Sequence, residues 1–260
     1  MTQKKYKKWM VAVPVIASIM IFSGCQEKPA VEQKAAVEAT GVPLIQSKII
    51  PVKLAKSEIC DNQGCTRYDL QTVETNVSWI NDYFMDRLKK ADPVVFNQDA
   101  AVQNQAEEKD KTDEQGLSSS SADIRYIGQH YNIATFALST YNYSAGAAHG
   151  MYHVEYVNFD LISQQRLALQ DILVKGAEQK IRDAIYESNT MWLSEHNIEK
   201  SKLQLSDNYY YGVNGLVFVY PLYELASYAE GMSELTLPYH MVKKLIKPEY
   251  LPELPQYAAS

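Results

Sequence analysis

Residues 124–160 read IRYIGQHYNIATFALSTYNYSAGAAHGMYHVEYVNFD, and this stretch decides the fold class. Apolar and aromatic residues alternate with polar ones on both sides of a run of small residues at 144–150. Alternation with period two, bounded by turn residues, is typical of antiparallel strands. The segment therefore predicts strands before and after a tight turn, with Met151–Phe159 as the strand that follows it.

The flanking sequence predicts more strands, together with helices. Upstream, a hairpin precedes a helix that begins near Asn76 and places Ile80, Phe84 and Leu88 on one face. Downstream, the predicted elements are helices at 175–196, 222–229 and 238–246 and a strand at 215–220. This mixed order predicts an α+β fold, mainly an antiparallel sheet with helices packed on one side, in two subregions.

Composition divides the chain further. Residues 97–123 are rich in Gln, Glu, Asp, Lys and Ser and predict a solvated polar loop. The predicted parts are a leader at 1–24, a tether at 25–43, an N-terminal hairpin-plus-helix region at 44–96, the polar loop at 97–123, a C-terminal domain at 124–250 and a tail at 251–260.

The first residues have the pattern of a bacterial export signal. Four lysines between positions 4 and 8 precede an apolar run at 9–22, and Phe22-Ser23-Gly24-Cys25 resembles a lipobox. The pattern predicts a lipoprotein that is cut before Cys25, anchored there by acyl chains such as palmitate, and exposed in the cell envelope. Gln26 indicates the outer membrane, with the domain on its periplasmic or surface face. The alternative is an ordinary secretory signal.

The charge balance limits the classes of partner. The chain has 25 basic and 31 acidic residues, and the leader through Cys25 holds four lysines and no acid, so the mature chain carries 21 − 31 = −10. Such a surface repels nucleic acid and favours cationic partners.

Two further cysteines, Cys60 and Cys65, flank the turn-like sequence DNQG. In an oxidising compartment they predict a disulfide at the tip of the hairpin. Two free thiols are the alternative, and a metal site is disfavoured because no third cysteine or nearby histidine completes it.

Several motifs together resemble the RsiV-like extracellular domain family, also called domain of unknown function 3298. They are YNYSAGAAHG at 141–150, YVNFDL at 156–161, LALQD at 167–171, FVYPLYELASYAEG at 218–231 and LPY at 237–239. The resemblance covers roughly 124–246 and implies an envelope binding domain, since the family has a lysozyme-sensing member. Two departures stand out: Ala147 replaces a second glycine of the turn before His149, and Ser163-Gln164-Gln165 replaces a Thr-Gly turn.

His149 is the residue with the widest choice of roles. It can tie the turn to the sheet, contact a partner, or act as a base if Asp171 or Glu224 orients it. With His153 it forms H-x-x-x-H, but four residues of a strand span roughly 13 Å. The pair therefore predicts no metal site, and the sequence predicts no cofactor.

Tyrosine is unusually abundant, with 19 residues against six phenylalanines. Tyrosine suits interfaces and sugar stacking, although it can also fill a core. The predicted binding residues are Tyr143, Gly146, His149, Gly150, Tyr152, Tyr209, Tyr210 and Tyr211.

These observations favour a binding protein over an enzyme. The first hypothesis is a lipoprotein that binds a cationic cell-wall hydrolase of the lysozyme kind. The second is a peptidoglycan-binding module, and the third is a hydrolase of unknown specificity.

Overall fold

A computed structural model describes residues 41–61, 64–97 and 116–252. Its strands form a seven-stranded and a three-stranded sheet. The large sheet contains β1 (Ser47–Pro51), β2 (Glu58–Asp61), β3 (Gly64–Thr75), β4 (Leu117–His130), β5 (Ile133–Tyr143), β6 (Met151–Asp160) and β7 (Gln165–Arg166). The small sheet contains β8 (Tyr209–Tyr211), β9 (Gly215–Tyr220) and β10 (Ser233–Pro238).

The large sheet is mainly antiparallel, and it joins the two predicted subregions. Its strands lie in the order β1-β3-β4-β5-β6-β7, with β2 paired to β3. The pair β3–β4 is parallel, with Cys65 opposite Leu117 and Leu70 opposite Ala122. The predicted polar loop is therefore too long, because residues 117–123 form the first half of β4. A parallel pair needs a long crossover, and residues 76–116 supply it.

Helix α1 (Ser78–Ala91) covers one face of this sheet. Ile80, Phe84 and Leu88 recur at helical spacing and are buried, as predicted. The ring of Phe84 packs against those of Phe136 and Phe159, with centroids 5.2 and 5.7 Å apart. Asp92 and Pro93 end α1, and a short helix α2 (Pro93–Phe96) follows.

The other face of the large sheet carries the small sheet and the remaining helices. These helices are α3 (Leu169–Ile172), α4 (Glu178–Ser188), α5 (Thr190–Glu195) and α6 (Tyr239–Val242). A second apolar core joins α4 to β9 and β10 through Ile181, Ile185, Phe218 and Leu235. The mixed α+β class is thus confirmed, but the helices lie on both sides of the large sheet. Because both faces are covered, residues Ile133–Leu138 of β5 are all buried.

The outer side of β6 is paired by side chains rather than by a long strand. The N–H of Tyr156 donates to Asn208 Oδ1 at 2.7 Å, and Asn208 Nδ2 donates to the carbonyl of Val154 at 2.7 Å. The N–H of Val154 contacts Met232 Sδ at 3.2 Å, and the carbonyl of Asn158 accepts from Leu167 N–H at 2.8 Å. Strand β7 pairs with only the last two residues of β6.

Three predicted helices differ from the structure, and the helix at 238–246 is shortened to α6, Tyr239–Val242. The helix at 175–196 is two helices, α4 and α5, that meet at Asn189. The helix at 222–229 does not form: the chain turns there, with a 3₁₀ turn at Tyr228–Glu230. Tyr223 has a φ of +68°, which no α-helix contains.

The leader, Cys25 and residues 26–40 of the tether lie outside the described residues, so lipidation stays a prediction. Within the described ranges, no helix has the length and apolar character that a membrane crossing requires.

Candidate binding surface

The turn between β5 and β6 brings an aromatic ring onto the backbone. Tyr141 and Tyr152 are directly opposite each other in the two strands. A Cβ at Gly150 would lie 2.3 Å from Cζ of Tyr141, so only glycine lets this ring rest on the chain. Tyr141 remains 39% exposed. The absence of a side chain at Gly150 therefore lets the Tyr141 ring lie at the surface in a defined position.

His149 is fixed in this turn by two contacts. Its Nδ1 lies 3.0 Å from the carbonyl oxygen of Gly150, and its Nε2 lies 3.3 Å from the hydroxyl of Tyr223. With the proton on Nδ1, the imidazole donates to the carbonyl and accepts from the phenol. Its ring stacks on that of Tyr228, with centroids 3.9 Å apart and planes at 25°. His149 thus links the β5–β6 turn to the region 221–231.

Tyr223 and Tyr228 complete the surface from a distant part of the sequence. The Tyr228 hydroxyl donates to the Gly150 carbonyl at 2.8 Å. Tyr223 is 56% exposed and has its backbone in the left-handed region, a conformation that costs a non-glycine residue about 1–2 kcal/mol. Such local strain concentrates at functional sites. We call Tyr141, His149, Tyr152, Tyr223 and Tyr228 the aromatic face.

A second tyrosine pair continues along β6. The rings of Tyr156 and Tyr210 lie 4.3 Å apart, and the Tyr210 hydroxyl donates to Glu234 at 3.2 Å. Burial, and then the nearby charge of Glu234, raise the pKa of Tyr210 to about 12. The phenol therefore stays protonated and acts as a hydrogen-bond donor at neutral pH.

The two segments that build these surfaces are acidic. Residues 126–165 contain two acids, Glu155 and Asp160, and residues 203–242 contain four, Asp207, Glu224, Glu230 and Glu234. Neither segment contains a lysine or an arginine, so together they carry a formal charge of −2 − 4 = −6. Three of these acids are paired, Glu155 with Arg87, Asp207 with Arg166 and Glu230 with His196, so the excess negative charge of the two segments comes from Asp160, Glu224 and Glu234.

An ion pair supports the turn that carries Tyr228. His196 Nε2 lies 2.6 Å from Glu230 Oε2, and the His196 ring stacks on Trp192 with centroids 3.8 Å apart. The hydrogen bond to Glu230 raises the pKa of His196, and the same bond lowers the pKa of Glu230. Glu230 also accepts from the Ser227 hydroxyl at 2.9 Å, which closes the turn.

The other predicted residues of the β5–β6 turn lie beside the aromatic face. Tyr143 ends β5 and is half-buried, and Gly146 is exposed in the turn with a φ of +82°. Ala147, the departure from the family pattern, has no positive φ, so it fits the turn without strain. The left-handed conformation after Asp160 is instead taken by Gln164, with a φ of +55°.

The prediction of Tyr209–Tyr211 as a second exposed edge is wrong for most of this strand. Tyr209 is 1% exposed, and its hydroxyl donates to the Leu167 carbonyl at 3.3 Å inside the core. The Tyr211 hydroxyl is buried as well. Tyr210 faces outward, because successive strand residues face opposite sides, whereas Tyr211 is partly buried and its hydroxyl lies in the second core.

The two histidines of the H-x-x-x-H pattern do not converge. His153 is part of β6 and faces α1 beside Glu155, whereas His149 stacks on Tyr228. Asp171 does not orient His149, because its carboxylate accepts from Ala168 N–H at 2.8 Å. Glu224 makes no bond to His149 among the residues described. The predictions that the histidines bind no metal and that the chain is not an enzyme stay predictions.

Cys60 and Cys65 are opposite each other in the β2–β3 hairpin, and their sulfurs are bonded at 2.08 Å. Glu58 lies beside them, and its carboxylate and the two sulfurs are within 4.8 Å of one another. The disulfide leaves no thiolate for a metal there.

Sequence reasoning missed Tyr223 and Tyr228. Both belong to a motif that carries the family resemblance, but the same segment predicted a helix. The contact between them and His149 spans more than seventy positions, which the local pattern does not reveal.

Comparison with known proteins places this fold. A family model described as "Protein of unknown function (DUF3298)" matches residues 160–240. A crystal structure of a DUF3298 family protein from Pseudomonas aeruginosa is similar, with a TM-score of 0.56 and 20% identity over 82% of this chain and 98% of that one. A DUF3298 family structure from Bacteroides fragilis has a TM-score of 0.56 and 16% identity over 78% and 94%. No curated protein matches the chain. The chain therefore carries a DUF3298 family segment at residues 160–240, within a fold that it shares with solved members of that family.

Proposed function

We propose that this chain is an envelope lipoprotein that binds a cationic protein of the lysozyme kind through the aromatic face, without hydrolysing it. The observation that carries the proposal is the face itself. Four tyrosines and a histidine from distant segments form one partly exposed surface on a part of the chain that holds no lysine or arginine.

The chemistry of the face suits protein binding. Tyrosine offers a large contact area and loses little conformational entropy, and it is enriched among the residues that dominate binding energy. Interlocked hydrogen bonds around His149 hold the rings before a partner arrives, which lowers the cost of ordering them on binding. The acidic surroundings speed the encounter with a basic partner.

The choice of a lysozyme-type partner is supported by the family resemblance, because that family has a lysozyme-sensing member. A peptidoglycan-binding module is the second candidate, since exposed tyrosines also stack on sugars. Ionic strength distinguishes the two candidate functions, because a charge-steered protein complex weakens as salt is added and a neutral sugar contact does not.

Calorimetry tests the proposal with the chain from Gln26 onward, which keeps every described residue, and a c-type lysozyme at low and moderate salt. We expect binding that weakens with salt, and no cleavage of either protein. Cytochrome c, a basic protein that is not a wall hydrolase, controls for attraction by charge alone.

Tyr223→Ala should weaken binding by about 2 kcal/mol or more, roughly thirtyfold in Kd. Tyr131→Ala is the matched control. Tyr131 is also exposed (62%) with a positive φ (+50°), but it precedes the opposite end of β5, about 33 Å from the aromatic face along the strand. Equal losses in both variants, or no heat at either salt with retention on purified peptidoglycan, would contradict the lysozyme reading.

A further inference from the structure

A concave site lies on the opposite face of the β5–β6 ladder from the aromatic face. It is a cleft of about 380 Å³ between the end of α1 and the large sheet. Leu88, Ala122 and Leu138 are buried and give it an apolar floor. The volume falls within the range of about 300–1,000 Å³ that is typical of small-molecule sites.

Polar side chains without internal partners line this cleft. The side chains on this face that form no side-chain hydrogen bond or ion pair with the rest of the described chain are Asp92, Ser120, Thr140, Asn142 and His153. Polar groups elsewhere in the same sheet behave differently. Thr135 donates to Asn158 at 2.7 Å, and Asn158 donates to the Tyr209 carbonyl at 2.8 Å. Polar groups that converge on a cavity without bonding one another are available to a ligand.

The cleft carries one negative charge in excess. Arg87 and Glu155 form a two-pronged ion pair, with Nη1–Oε1 at 3.1 Å and Nη2–Oε2 at 2.5 Å, so each neutralises the other. With Arg87 at +1 and Asp92 and Glu155 at −1 each, the lining sums to −1 when His153 is neutral. Burial raises the pKa of Asp92, because its carboxylate has lost part of its hydration.

We propose that this cleft binds a small primary ammonium compound that also carries hydroxyl or amide groups, such as an amino sugar. An ammonium group has three donors and no acceptor. Asp92 supplies the counter-charge and accepts one hydrogen bond, and the hydroxyl oxygens of Ser120 and Thr140 accept hydrogen bonds from the other two N–H groups. Asn142 and His153 can both donate and accept, which suits the hydroxyl or amide groups of the ligand.

The charge of the lining sets the selectivity. An anionic ligand would meet Asp92 while Arg87 is already engaged by Glu155. A neutral sugar of the same shape would leave Asp92 without a counter-ion in a partly desolvated cleft. The inference does not depend on the proposed function, because none of the residues of the aromatic face lines the cleft.

The test is an NMR titration of the isotope-labelled chain from Gln26 onward with D-glucosamine, at a pH where its amine is protonated. N-acetyl-D-glucosamine is the matched probe, because acetylation removes the charge and keeps the ring. We expect glucosamine to shift the amide signals of Thr140, Asn142 and His153, and to bind at least tenfold more tightly than the acetylated sugar.

Asp92→Asn should weaken glucosamine binding about tenfold or more and leave the fold intact. The Asp92 side chain caps no backbone group, and its own N–H bonds the Leu88 carbonyl in either variant. Asp86→Asn is the control: it removes one charge from α1 itself, just before Asp92 in the chain, but Asp86 is exposed and outside the cleft.

Three results would overturn the proposal. They are no shifts with glucosamine, equal binding of the acetylated sugar, and unchanged binding by Asp92→Asn. If Asp92→Asn melts well below Asp86→Asn, Thr140→Val takes its place as the test. It keeps the shape of the side chain, removes one acceptor, and should still weaken glucosamine binding several-fold.

Discussion

Tyr211 carries a hydroxyl that weakens the core in which it lies. Its oxygen is buried and has no hydrogen-bond partner among the described residues. Burial is also the largest cause that raises the pKa of Tyr211 well above its ordinary value. A buried polar group without a partner costs about 1–3 kcal/mol. Tyr211→Phe should therefore stabilise the fold, by about 1 kcal/mol at the lower end of that range.

Tyr239→Phe is the control within the same core, because the Tyr239 hydroxyl donates to the Gly212 carbonyl at 2.7 Å. Its loss should destabilise by about 1 kcal/mol. The two variants should then differ by about 2 kcal/mol, or roughly 4–8 °C in Tm for a chain of this size. Urea and thermal unfolding followed by circular dichroism measure both. If Tyr211→Phe is destabilised as much as Tyr239→Phe, its hydroxyl has a partner and the reasoning fails.

Three further predictions concern the turns, the disulfide and the ion pair. Gln164→Gly should raise Tm by about 1–4 °C, because glycine adopts the positive φ of this position without strain. Gly146→Ala should lower Tm by a similar amount, because position 146 has open space around it but a φ of +82°. A change of Tm in the same direction for both variants would refute this. Reduction of the Cys60–Cys65 disulfide, whose cysteines are five positions apart, should remove about 2 kcal/mol or less, so the chain should keep its circular dichroism spectrum and melt at a lower temperature. NMR titration should place the pKa of His196 above its ordinary value of 6.5, and Glu230→Gln should bring it back down. The stabilising effect of the pair should be lost as pH rises through the raised His196 pKa, and also as pH falls through the lowered Glu230 pKa; an unshifted histidine would contradict it.

The fold class was predictable wherever apolar residues recur with a single helical or strand period. Ile80, Phe84 and Leu88 recur at helical spacing, and they are the buried face of α1. The start of β4 was missed because Ser118–Ser121 look like a loop: the backbone of this segment pairs with β3, while the Ser120 side chain lines a polar cleft instead of a core. The polar residues at the cleft therefore hid the first half of β4 from a prediction based on apolar alternation.

The candidate site was predictable only in part. The glycines and His149 marked the β5–β6 turn, because tight turns and close backbone approach have a local signature. Tyr223 and Tyr228 have no such signature. Their place on the aromatic face depends on how the small sheet packs against β6, and the pattern of a single segment does not contain that information.

The position of Asn208 bears on how this protein avoids aggregation with other copies of itself. A strand at the border of a sheet offers its backbone to any other chain, which leads to strand exchange and fibrous aggregation. On the outer side of β6, one carboxamide occupies the carbonyl of Val154 and the N–H of Tyr156 in the way that a neighbouring strand would. Asn208 thus provides two of the contacts that cover this border, beside Met232 at the Val154 N–H and Leu167 at the Asn158 carbonyl, so replacing Asn208 would open the Val154 carbonyl and the Tyr156 N–H to another chain.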